Sequence, residues 1–377
     1  MRMHSDIFLS LQKLVSISSL YPSEGAIGEY IFQLLKNQGY TVEKQHIDAD
    51  RFNVVAEKGA GTKSIMLYAH LDTVGVAQGW NTNPLTLTVV GNKAYGLGAW
   101  DMKAGLLANI IAFQKSNPKN KKLKIVFCVD EEYISRGGHT LIKSPFMRDV
   151  SCVLSTEPAF KYGVQGIITG RIGRAVYDVV IKGQSQHFAL YQPERDMNNV
   201  LADFIQASQK LYKEHGEKKQ FVFARSIESQ TLGMSLPEKI TLQLDSSILP
   251  PHTHESVLSF LTKAAAQIEK KYNMFFSISI EKHKRITPFL EPYTINRNNS
   301  YLTLLRKSVF EVTKKLAVPY FRSSVADENI FGASGVTTLG IGPVGGNAHS
   351  ANEWVDMKSL QELIAIVTSF ISAADEL

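Results

Sequence analysis

The stretch that decides the fold is Ser64-Ile65-Met66-Leu67-Tyr68-Ala69-His70-Leu71-Asp72. Its apolar first part has the length of a β-strand, and a continuous apolar run is typical of a strand buried on both faces of a sheet. The run ends at His70 and Asp72, whose side chains point to the same side if the backbone stays extended. Because ligands bind at the carboxyl ends of strands in open α/β sheets, His70 is a candidate metal ligand, with Asp72 holding its other ring nitrogen. The alternative is a histidine hydrogen-bonded at the edge of a core.

Three more apolar runs lead into candidate ligands. Leu123–Val129 is followed by Asp130-Glu131-Glu132, Ser151–Leu154 by Glu157, and Val336–Ile341 by a glycine-rich loop that contains His349. Consecutive carboxylates after a buried strand repel each other, and their pKa values rise unless a cation neutralises them. A solvated acidic surface run is the alternative, and it fits poorly directly after an apolar strand.

A glycine-rich segment surrounds one further carboxylate, Asp101. The segment reads Tyr95-Gly96-Leu97-Gly98-Ala99-Trp100-Asp101-Met102-Lys103-Ala104-Gly105 and leads into an apolar helix predicted over Leu106–Gln114. Glycines at such a place let the backbone approach a ligand closely. The spacing does not match a phosphate-binding Walker loop. The alternative is a glycine-rich loop with a helix-capping aspartate.

Length and charge limit the class of protein. With 377 residues the chain is long enough for two domains, and its net charge is +6. The basic residues are scattered apart from short runs at 119–122 and 217–219, which we interpret as solvated turns. Nucleic-acid binding would require a basic stripe with interleaved aromatic residues, and the sequence has none. The positive charge slightly favours anionic substrates.

Cysteine usage and hydropathy indicate a cytoplasmic protein. Cys128 and Cys152 each lie in an apolar run and are predicted to be small buried hydrophobes, as a reducing compartment permits. A thiolate zinc knuckle is excluded because the sequence has no Cys-x-x-Cys pair. The amino-terminal residues resemble an amphipathic helix instead of a signal peptide, and no apolar run approaches the roughly 18 residues of a membrane span.

The pattern changes after about residue 170. The residues 174–182 alternate between apolar and polar, which is typical of an antiparallel sheet with one wet face. The predicted order over 172–282 is strand, helix, strand, strand, helix, strand, the order of a ferredoxin-like α+β unit. We therefore predict an inserted domain at 172–282 in an α/β domain formed by 1–171 and 283–377, whose mixed, largely parallel sheet is covered by helices. Helix N-caps are predicted at Ser5, Ser23, Thr253 and Asp356.

The candidate ligands together favour two metal ions. Two histidines and several carboxylates without a thiolate suit Zn²⁺, Co²⁺ or Mn²⁺. There are too many ligands for one four-coordinate zinc, and they suit two ions about 3.5–4 Å apart, bridged by a carboxylate and a water. That water loses its proton near neutral pH and becomes a nucleophile, while one carboxylate stays off the metals as general base. The Glu131-Glu132 pair supplies one ligand and one spare carboxylate.

The ordered motifs resemble the M20 family of binuclear zinc aminoacylases and peptidases, which includes acetylornithine deacetylase, succinyl-diaminopimelate desuccinylase and glutamate carboxypeptidase. Order and separations fit across essentially the whole chain. The resembling motifs are 68–74, 96–105, Asp130-Glu131-Glu132, Ser155-Thr156-Glu157-Pro158, Gly183-Gln184-Ser185-Gln186-His187 and Ala348-His349-Ser350-Ala351-Asn352-Glu353.

The resemblance implies a role for each motif residue. It implies a zinc-peptidase-like catalytic domain in which His70, Asp101 and Glu157 hold one Zn²⁺, and Asp101, Glu132 and His349 hold the other. Glu131 would be the general base that deprotonates the bridging water and passes the proton to the leaving amine, and Asp72 would orient His70. The peptide bond Asp101–Met102 would be cis. His187 would come from the inserted lid and, in a dimer, polarise the oxyanion in the partner's site.

Two departures from the family pattern concern substrate choice. Family members often carry an arginine that binds a substrate carboxylate where this chain has Ser247, and the usual Ser-Asp-Ala is replaced by residues 325–329, which include Asp327. We expect Arg322 and Asp327 to contact substrate, while Arg171 or Arg174 are alternatives for the carboxylate.

The resemblance implies a metal-dependent amidohydrolase. The expected substrate is an N-acyl amino acid, cleaved as by a deacetylase or desuccinylase. A dipeptidase or carboxypeptidase acting on a short peptide is the alternative. A non-catalytic binding protein on the same fold is a third reading, disfavoured because every ligand and the base are present. A homodimer through the lid is expected because the alternating strands at 174–182 and 275–281 include an edge that a second copy can cover.

Overall fold

The computed structural model describes residues 2–213, 221–231 and 233–377. The basic run at 217–219 and the start of the strand predicted near 220–226 lie outside these residues. The chain divides into two compact units. The first unit comprises Met1–Gly170, Thr294–Arg322 and Ala326–Leu377, and the second comprises Arg171–Tyr293 and Ser323–Val325.

Nine strands of the described chain form the main sheet. From one side to the other they are Thr41–His46, Phe52–Gly59, Lys122–Cys128, Ser64–His70, Val150–Ser155, Thr337–Gly340, Gly166–Arg171 and Tyr293–Thr294, and Val318–Arg322 pairs with Gly166–Arg171. The predicted mixed sheet is therefore confirmed.

The four central strands of this sheet are parallel. Ser64–His70 pairs in parallel with Lys122–Cys128 and with Val150–Ser155, which in turn pairs in parallel with Thr337–Gly340. The strand Ser64–His70 is buried along its whole length, as its apolar sequence predicts. Flanking pairs such as Phe52–Gly59 with Lys122–Cys128 are antiparallel. Because the carboxyl ends of parallel strands meet at one edge, the segments that follow these four strands come together there.

Helices pack on this sheet around one apolar core. The described helices of the first unit are Arg2–Ser16, Gly25–Asn37, Ala104–Lys115, Arg136–Lys143, Ser300–Thr313, Glu328–Ala333 and Met357–Asp375. The last helix contributes Leu360, Leu363 and Phe370, all fully buried, which is the apolar face that its 3.6-residue period predicts. The segment Ala99–Lys103 precedes the helix Ala104–Lys115, and its Asp101 and Met102 have non-helical backbone angles.

Two of the four predicted helix caps are confirmed, whereas Ser5 lies inside the helix Arg2–Ser16 and does not cap it. Asp356 accepts a hydrogen bond from the backbone N–H of Ser359 at 2.7 Å, and Thr253 forms a capping box with Ser256. The prediction for Ser23 is wrong, because Glu24 occupies the N-cap position without a side-chain cap. The Glu24 carboxylate instead accepts two hydrogen bonds from Arg51, both at 2.8 Å.

A small sheet holds the segment that follows His349. It consists, in the described chain, of Gly345–Gly346, Trp354–Asp356, Lys93–Tyr95 and Thr88–Val90. Trp354 pairs with Tyr95 and Asp356 with Lys93 in antiparallel register. This pairing brings the loop before Trp354 next to the glycine-rich segment that contains Asp101.

The second unit has its own sheet and core. In the described residues its four strands lie in the order Val222–Ser229, Lys239–Ile248, Gly173–Lys182 and Ser277–Lys282, and its helices are Met197–Lys213 and His254–Lys271. Neighbouring strands are antiparallel, and the chain order of elements is the predicted ferredoxin-like order. The unit continues beyond residue 282, since Phe289 packs in its core.

One of the two alternating strands that were expected to include a sheet edge is an edge in the described residues. The strand Gly173–Lys182 is paired on both sides, so it is not an edge. The edges are Val222–Ser229 and Ser277–Lys282. Sequence alternation could not distinguish these cases because an internal strand with one wet face alternates in the same way as an edge strand.

Cys128 and Cys152 are free thiols and completely buried. Burial raises the pKa of both thiols, which keeps them protonated and apolar in character. Among the helices of residues 2–213, 221–231 and 233–377, none has the length and hydropathy of a membrane span.

Candidate metal centre

The first group of candidate ligands consists of His70, Asp101 and Glu157 and is deeply buried. His70 Nε2 lies 3.2 Å from Glu157 Oε1 and 3.4 Å from Asp101 Oδ1. The exposed fractions of the three side chains are only 0%, 9% and 6% for His70, Asp101 and Glu157. His70 ends a buried strand and Glu157 follows its neighbour, so the sheet itself sets their separation.

The second group consists of Asp101, Glu132 and His349 and is more open. His349 Nε2 lies 3.0 Å from Glu132 Oε1 and 3.5 Å from Asp101 Oδ2. The His349 side chain is 52% exposed, although Glu132 is 8% exposed. His349 is carried by a loop and has a positive φ of 59°.

Asp101 is common to both groups. Its Oδ1 faces His70 and its Oδ2 faces His349. The peptide bond Asp101–Met102 is cis, as the resemblance implied. A carboxylate with one oxygen directed at each of two ligand groups is the arrangement that a bridging ligand requires.

Asp72 links His70 to the Glu131-Glu132 pair. His70 Nδ1 donates to the backbone carbonyl of Asp72 at 3.0 Å, and Asp72 Oδ1 lies 3.5 Å from the same nitrogen. This contact fits the tautomer that leaves Nε2 to bind a metal. The Asp72 carboxylate also accepts hydrogen bonds from the backbone N–H groups of Glu131 at 3.1 Å and Glu132 at 2.9 Å. One buried carboxylate therefore orients residues from two neighbouring strands.

The charges of the site favour a cation. Burial raises the pKa of Glu132 to about 7, and burial together with the charge of Glu157 raises the pKa of Glu131 well above its ordinary value. Hydrogen bonds to Asp101 and Glu132 raise the pKa of His349 to about 10. Burial disfavours a charged His70, but its contacts with carboxylates outweigh burial and raise its pKa well above the ordinary value. Glu131 and Glu132 thus tend to retain protons, which bound cations would displace.

The donor set fits divalent metal ions. His70 Nε2 and Asp101 Oδ1 are buried and have no hydrogen-bond partner in the described part of the chain. Buried polar atoms are normally satisfied, so a pair that converges without hydrogen-bonding suggests a missing ligand. In three groups of residues, all ligand atoms of the group lie within 4.8 Å of one another. They are the two groups above and a third group of His70, Glu131 and Glu132. Imidazole and carboxylate donors suit zinc and similar ions.

The two residues predicted to contact substrate are both largely buried. Asp327 is completely buried and accepts a hydrogen bond from Tyr68 at 2.8 Å, while its backbone N–H donates to Glu131 Oε1 at 3.3 Å. Its contact with substrate stays a prediction, and its backbone hydrogen bond supports the Glu131 carboxylate. Arg322 donates to the Pro158 carbonyl at 2.6 Å and lies 3.6 Å from Glu157, and its contact with substrate stays a prediction.

Two residues of the second unit lie outside the ligand groups. Ser247 is buried, and its hydroxyl accepts a hydrogen bond from the backbone N–H of Phe221 at 2.8 Å. His187 is exposed, and its Nδ1 accepts a hydrogen bond from the backbone N–H of Ala189 at 3.2 Å. Among the described residues, His187 belongs to none of the ligand groups.

Glu353 is the last residue of the motif 348–353, but the sequence predicts no role for it. Glu353 is buried beside Asp101, and burial raises its pKa to about 8. The signal that could have found it is a carboxylate placed directly before the strand pattern of Trp354 and Val355, where a charged side chain must have buried partners.

Comparison with solved structures shows that the chain shares its fold with two proteins described as peptidases. An aminopeptidase PepT from Bacillus cereus superposes with a TM-score of 0.80 at 15% identity, covering 98% of each chain. A tripeptidase from Staphylococcus aureus has a TM-score of 0.78 at 17% identity, covering 99% of each chain. These likenesses define the class of fold.

Comparison of sequences identifies the family. The model of peptidase family M20/M25/M40 matches residues 66–373. A succinyl-diaminopimelate desuccinylase from Ehrlichia chaffeensis is 24% identical over 96% of each chain. The chain therefore belongs to peptidase family M20/M25/M40, and it is a hydrolase of amide or peptide bonds.

Proposed function

We propose that this chain is a two-metal amidohydrolase that removes the acyl group from an N-acyl amino acid. The proposal rests on the Asp101 carboxylate, which directs Oδ1 at His70 in one ligand group and Oδ2 at His349 in the other. In these two groups Glu131 is left over, so it can serve as general base.

The residues divide the work as follows. His70, Asp101 and Glu157 would hold one ion, and Asp101, Glu132 and His349 would hold the other, because the ligand atoms of each group converge. When bound, the ions would activate a water and polarise the amide carbonyl of the substrate. Glu131 would take the proton from the water and deliver it to the leaving amine. The hydrogen bond from the Asp327 backbone N–H to Glu131 Oε1 restrains this carboxylate.

The sequence relatives favour a deacylase. Besides the desuccinylase, an acetylornithine deacetylase from Vibrio atlanticus is 31% identical over 56% of this chain and 57% of its own. Both names describe removal of an acyl group from an amino acid. The peptidase names of the structural relatives support the second candidate, a dipeptidase or carboxypeptidase acting on short peptides.

A substrate screen separates these candidates. Purified protein loaded with Zn²⁺ or Co²⁺ is assayed against N-acetyl amino acids, N-succinyl amino acids and dipeptides of the same amino acids. We expect the highest kcat/KM for an N-acyl amino acid. Preference for the dipeptides would favour the second candidate, and hydrolysis limited to esters or uncharged amides would contradict a substrate with a carboxylate.

We propose Arg174 as the residue that binds the substrate carboxylate. It lies on the strand directly opposite Ser247, so the two side chains share one face of the second sheet. Its side chain is 38% exposed and donates to Asp245 through Nε at 3.0 Å and Nη2 at 2.5 Å. A guanidinium has five N–H donors, so donors remain for a second carboxylate. Arg171 is a weaker candidate because it is completely buried.

Arg225 provides a matched control for this assignment. Its side chain is 46% exposed and lies 3.9 Å from the same Asp245. Arg174→Ala should raise KM about 10- to 100-fold with a smaller change in kcat, because a charge-assisted hydrogen bond contributes about 1.5–3 kcal/mol. Arg225→Ala should leave KM nearly unchanged. Equal effects of both substitutions would contradict the assignment.

We propose that the chain forms a homodimer through the second unit, so that the partner's copy of His187 completes each site. Exposed hydrophobic side chains flank His187, namely Phe188, Leu190 and Tyr191. The second sheet also has two edge strands that a symmetric partner can cover. These features support the proposal because an exposed apolar surface and an unpaired edge both tend to associate.

Complementation tests the dimer. Separately purified His187→Ala and Glu131→Gln proteins are mixed under conditions that exchange subunits. We expect activity to return, since one site of each hybrid would hold both intact groups. A fully active monomer in sedimentation analysis, or unchanged turnover of His187→Ala, would contradict the arrangement.

A further inference from the structure

Glu353 is a buried carboxylate that binds three backbone N–H groups of the segment containing Asp101. Its Oε2 accepts from Gly98 at 2.7 Å, and its Oε1 accepts from Trp100 and from Asp101, both at 2.8 Å. The residue is only 2% exposed. These three hydrogen bonds favour the ionised carboxylate and oppose the burial that raises the pKa of Glu353.

The small sheet fixes Glu353 from behind. Trp354, the next residue, pairs with Tyr95, and the backbone N–H of Gly96 donates to the Glu353 carbonyl at 3.0 Å. The backbone of Glu353 and Trp354 is therefore hydrogen-bonded to Tyr95 and Gly96, the residues at the start of the glycine-rich segment. Such a residue can transmit the position of one segment to another.

The segment 98–101 can follow the carboxylate only because its backbone is unusual. Gly98 has a φ of +69°, and a Cβ at this position would lie 2.5 Å from Thr73 Cγ2. Both the positive φ and the short distance to Thr73 therefore exclude a side chain at this position. On the far side, Trp100 Nε1 donates to the Pro343 carbonyl at 2.8 Å. The backbone of Asp101 is thus held from two directions.

From these contacts we propose that Glu353 is a positioning residue that holds the Asp101 carboxylate between the two ligand groups. The inference rests on the proposed two-metal site. Asp101 has to direct one oxygen at each group, and a small rotation of its backbone would withdraw at least one of them. Glu353 does not itself bind the ions, because both of its oxygens are occupied by N–H donors.

Glutamine cannot replace this carboxylate. The three donors use both oxygens, and an amide offers only one oxygen and turns an NH₂ group toward a backbone N–H. Glu353→Gln should therefore displace the segment that carries Asp101, although no ligand residue is itself replaced.

Asp375 provides a matched control for a purely structural role. Its carboxylate likewise accepts three backbone N–H groups, from Lys119 at 2.8 Å, Asn120 at 3.0 Å and Lys121 at 2.8 Å. It lies near the carboxyl terminus and belongs to none of the ligand groups of the described chain. Asp375→Asn removes the same kind of interaction away from the candidate ligands.

The test is calorimetric titration of Co²⁺ into metal-stripped wild type, Glu353→Gln and Asp375→Asn, with melting curves of each metal-free protein. We expect two Co²⁺ per wild-type chain, binding about 10- to 100-fold weaker in Glu353→Gln, and wild-type affinity in Asp375→Asn. If Glu353→Gln does not fold, Glu353→Asp serves instead, because it keeps the charge but withdraws the oxygens from the N–H groups.

The outcomes distinguish this inference from the proposed function. Two Co²⁺ bound with equal affinity by wild type and Glu353→Gln would overturn the role of Glu353 and leave the two-metal site intact. A similar loss of affinity in Asp375→Asn would also overturn it, since a general loss of stability would then suffice. Wild type without bound Co²⁺ would overturn both.

Discussion

The two ligand groups that share Asp101 differ in how the chain holds them. The buried group takes His70 from the end of a strand that is buried throughout, and Asp72 fixes its ring. The open group takes His349 from a loop, and more than half of this side chain is exposed. A ligand held by a sheet is preorganised, whereas a ligand on a loop must be ordered when the ion binds. We therefore expect the buried group to bind its ion more tightly and the open group to exchange it more readily.

The largest expected effect on activity is that of replacing Glu131, which belongs to neither of the two groups that share Asp101. Glu131→Gln should lower kcat by about 10²–10⁴-fold, because general base catalysis typically contributes this factor. The metal content should remain that of wild type. Loss of a metal ion in this variant would instead make Glu131 a ligand, consistent with its proximity to His70 and Glu132, and full activity would exclude it as the base.

Removing one histidine at a time compares the groups directly. His70→Ala should weaken binding at the buried group by more than about 100-fold, since loss of a mere supporting contact already costs about 10- to 100-fold. His349→Ala should leave one tightly bound ion per chain. Elemental analysis after gel filtration measures both. Retention of two ions by His349→Ala would contradict the assignment of the open group.

A smaller effect is expected from the residue that connects the groups. Asp72→Asn should weaken metal binding about 10- to 100-fold, because the amide cannot accept both N–H bonds from Glu131 and Glu132 while also facing His70. Thr73→Ser, at the neighbouring buried position, is the control and should retain wild-type affinity. Equal affinity in Asp72→Asn and wild type would show that the strand alone positions His70.

Metal removal should have the smallest of these effects, a decrease in the melting temperature. A ligand at 100 times its Kd stabilises the folded state by about 2.7 kcal/mol per site. For a unit of this size that corresponds to roughly 5–10 °C in Tm per site. Differential scanning calorimetry should show about half of the wild-type shift in His349→Ala. An equal shift in both proteins would mean that only the buried group binds an ion.

Sequence predicted the parts of the site that follow from strand order. His70, Glu132 and Glu157 each end or follow an apolar run, and parallel pairing of adjacent strands brings such positions together. The family motifs added the loop ligands Asp101 and His349. Confirmed caps such as Asp356 depend on a local hydrogen bond that sequence spacing describes well.

The remaining features depend on tertiary contacts. Glu353 acts on backbone N–H groups about 250 residues earlier in the chain, and no side-chain pattern marks that partner. The burial of Asp327 beside Tyr68 is likewise a result of packing. Ser23 does not cap its helix, since Glu24 occupies the N-cap position and is bound by the distant Arg51.

The central claim is that one carboxylate, Asp101, serves two metal ions at once. Electron paramagnetic resonance of the protein titrated with Mn²⁺ tests it directly, because ions that share a carboxylate interact magnetically. We predict two Mn²⁺ per chain with the spectrum of a coupled pair, and loss of that coupling in Asp101→Asn. A single bound ion, or two ions with the spectra of isolated Mn²⁺, would contradict the account.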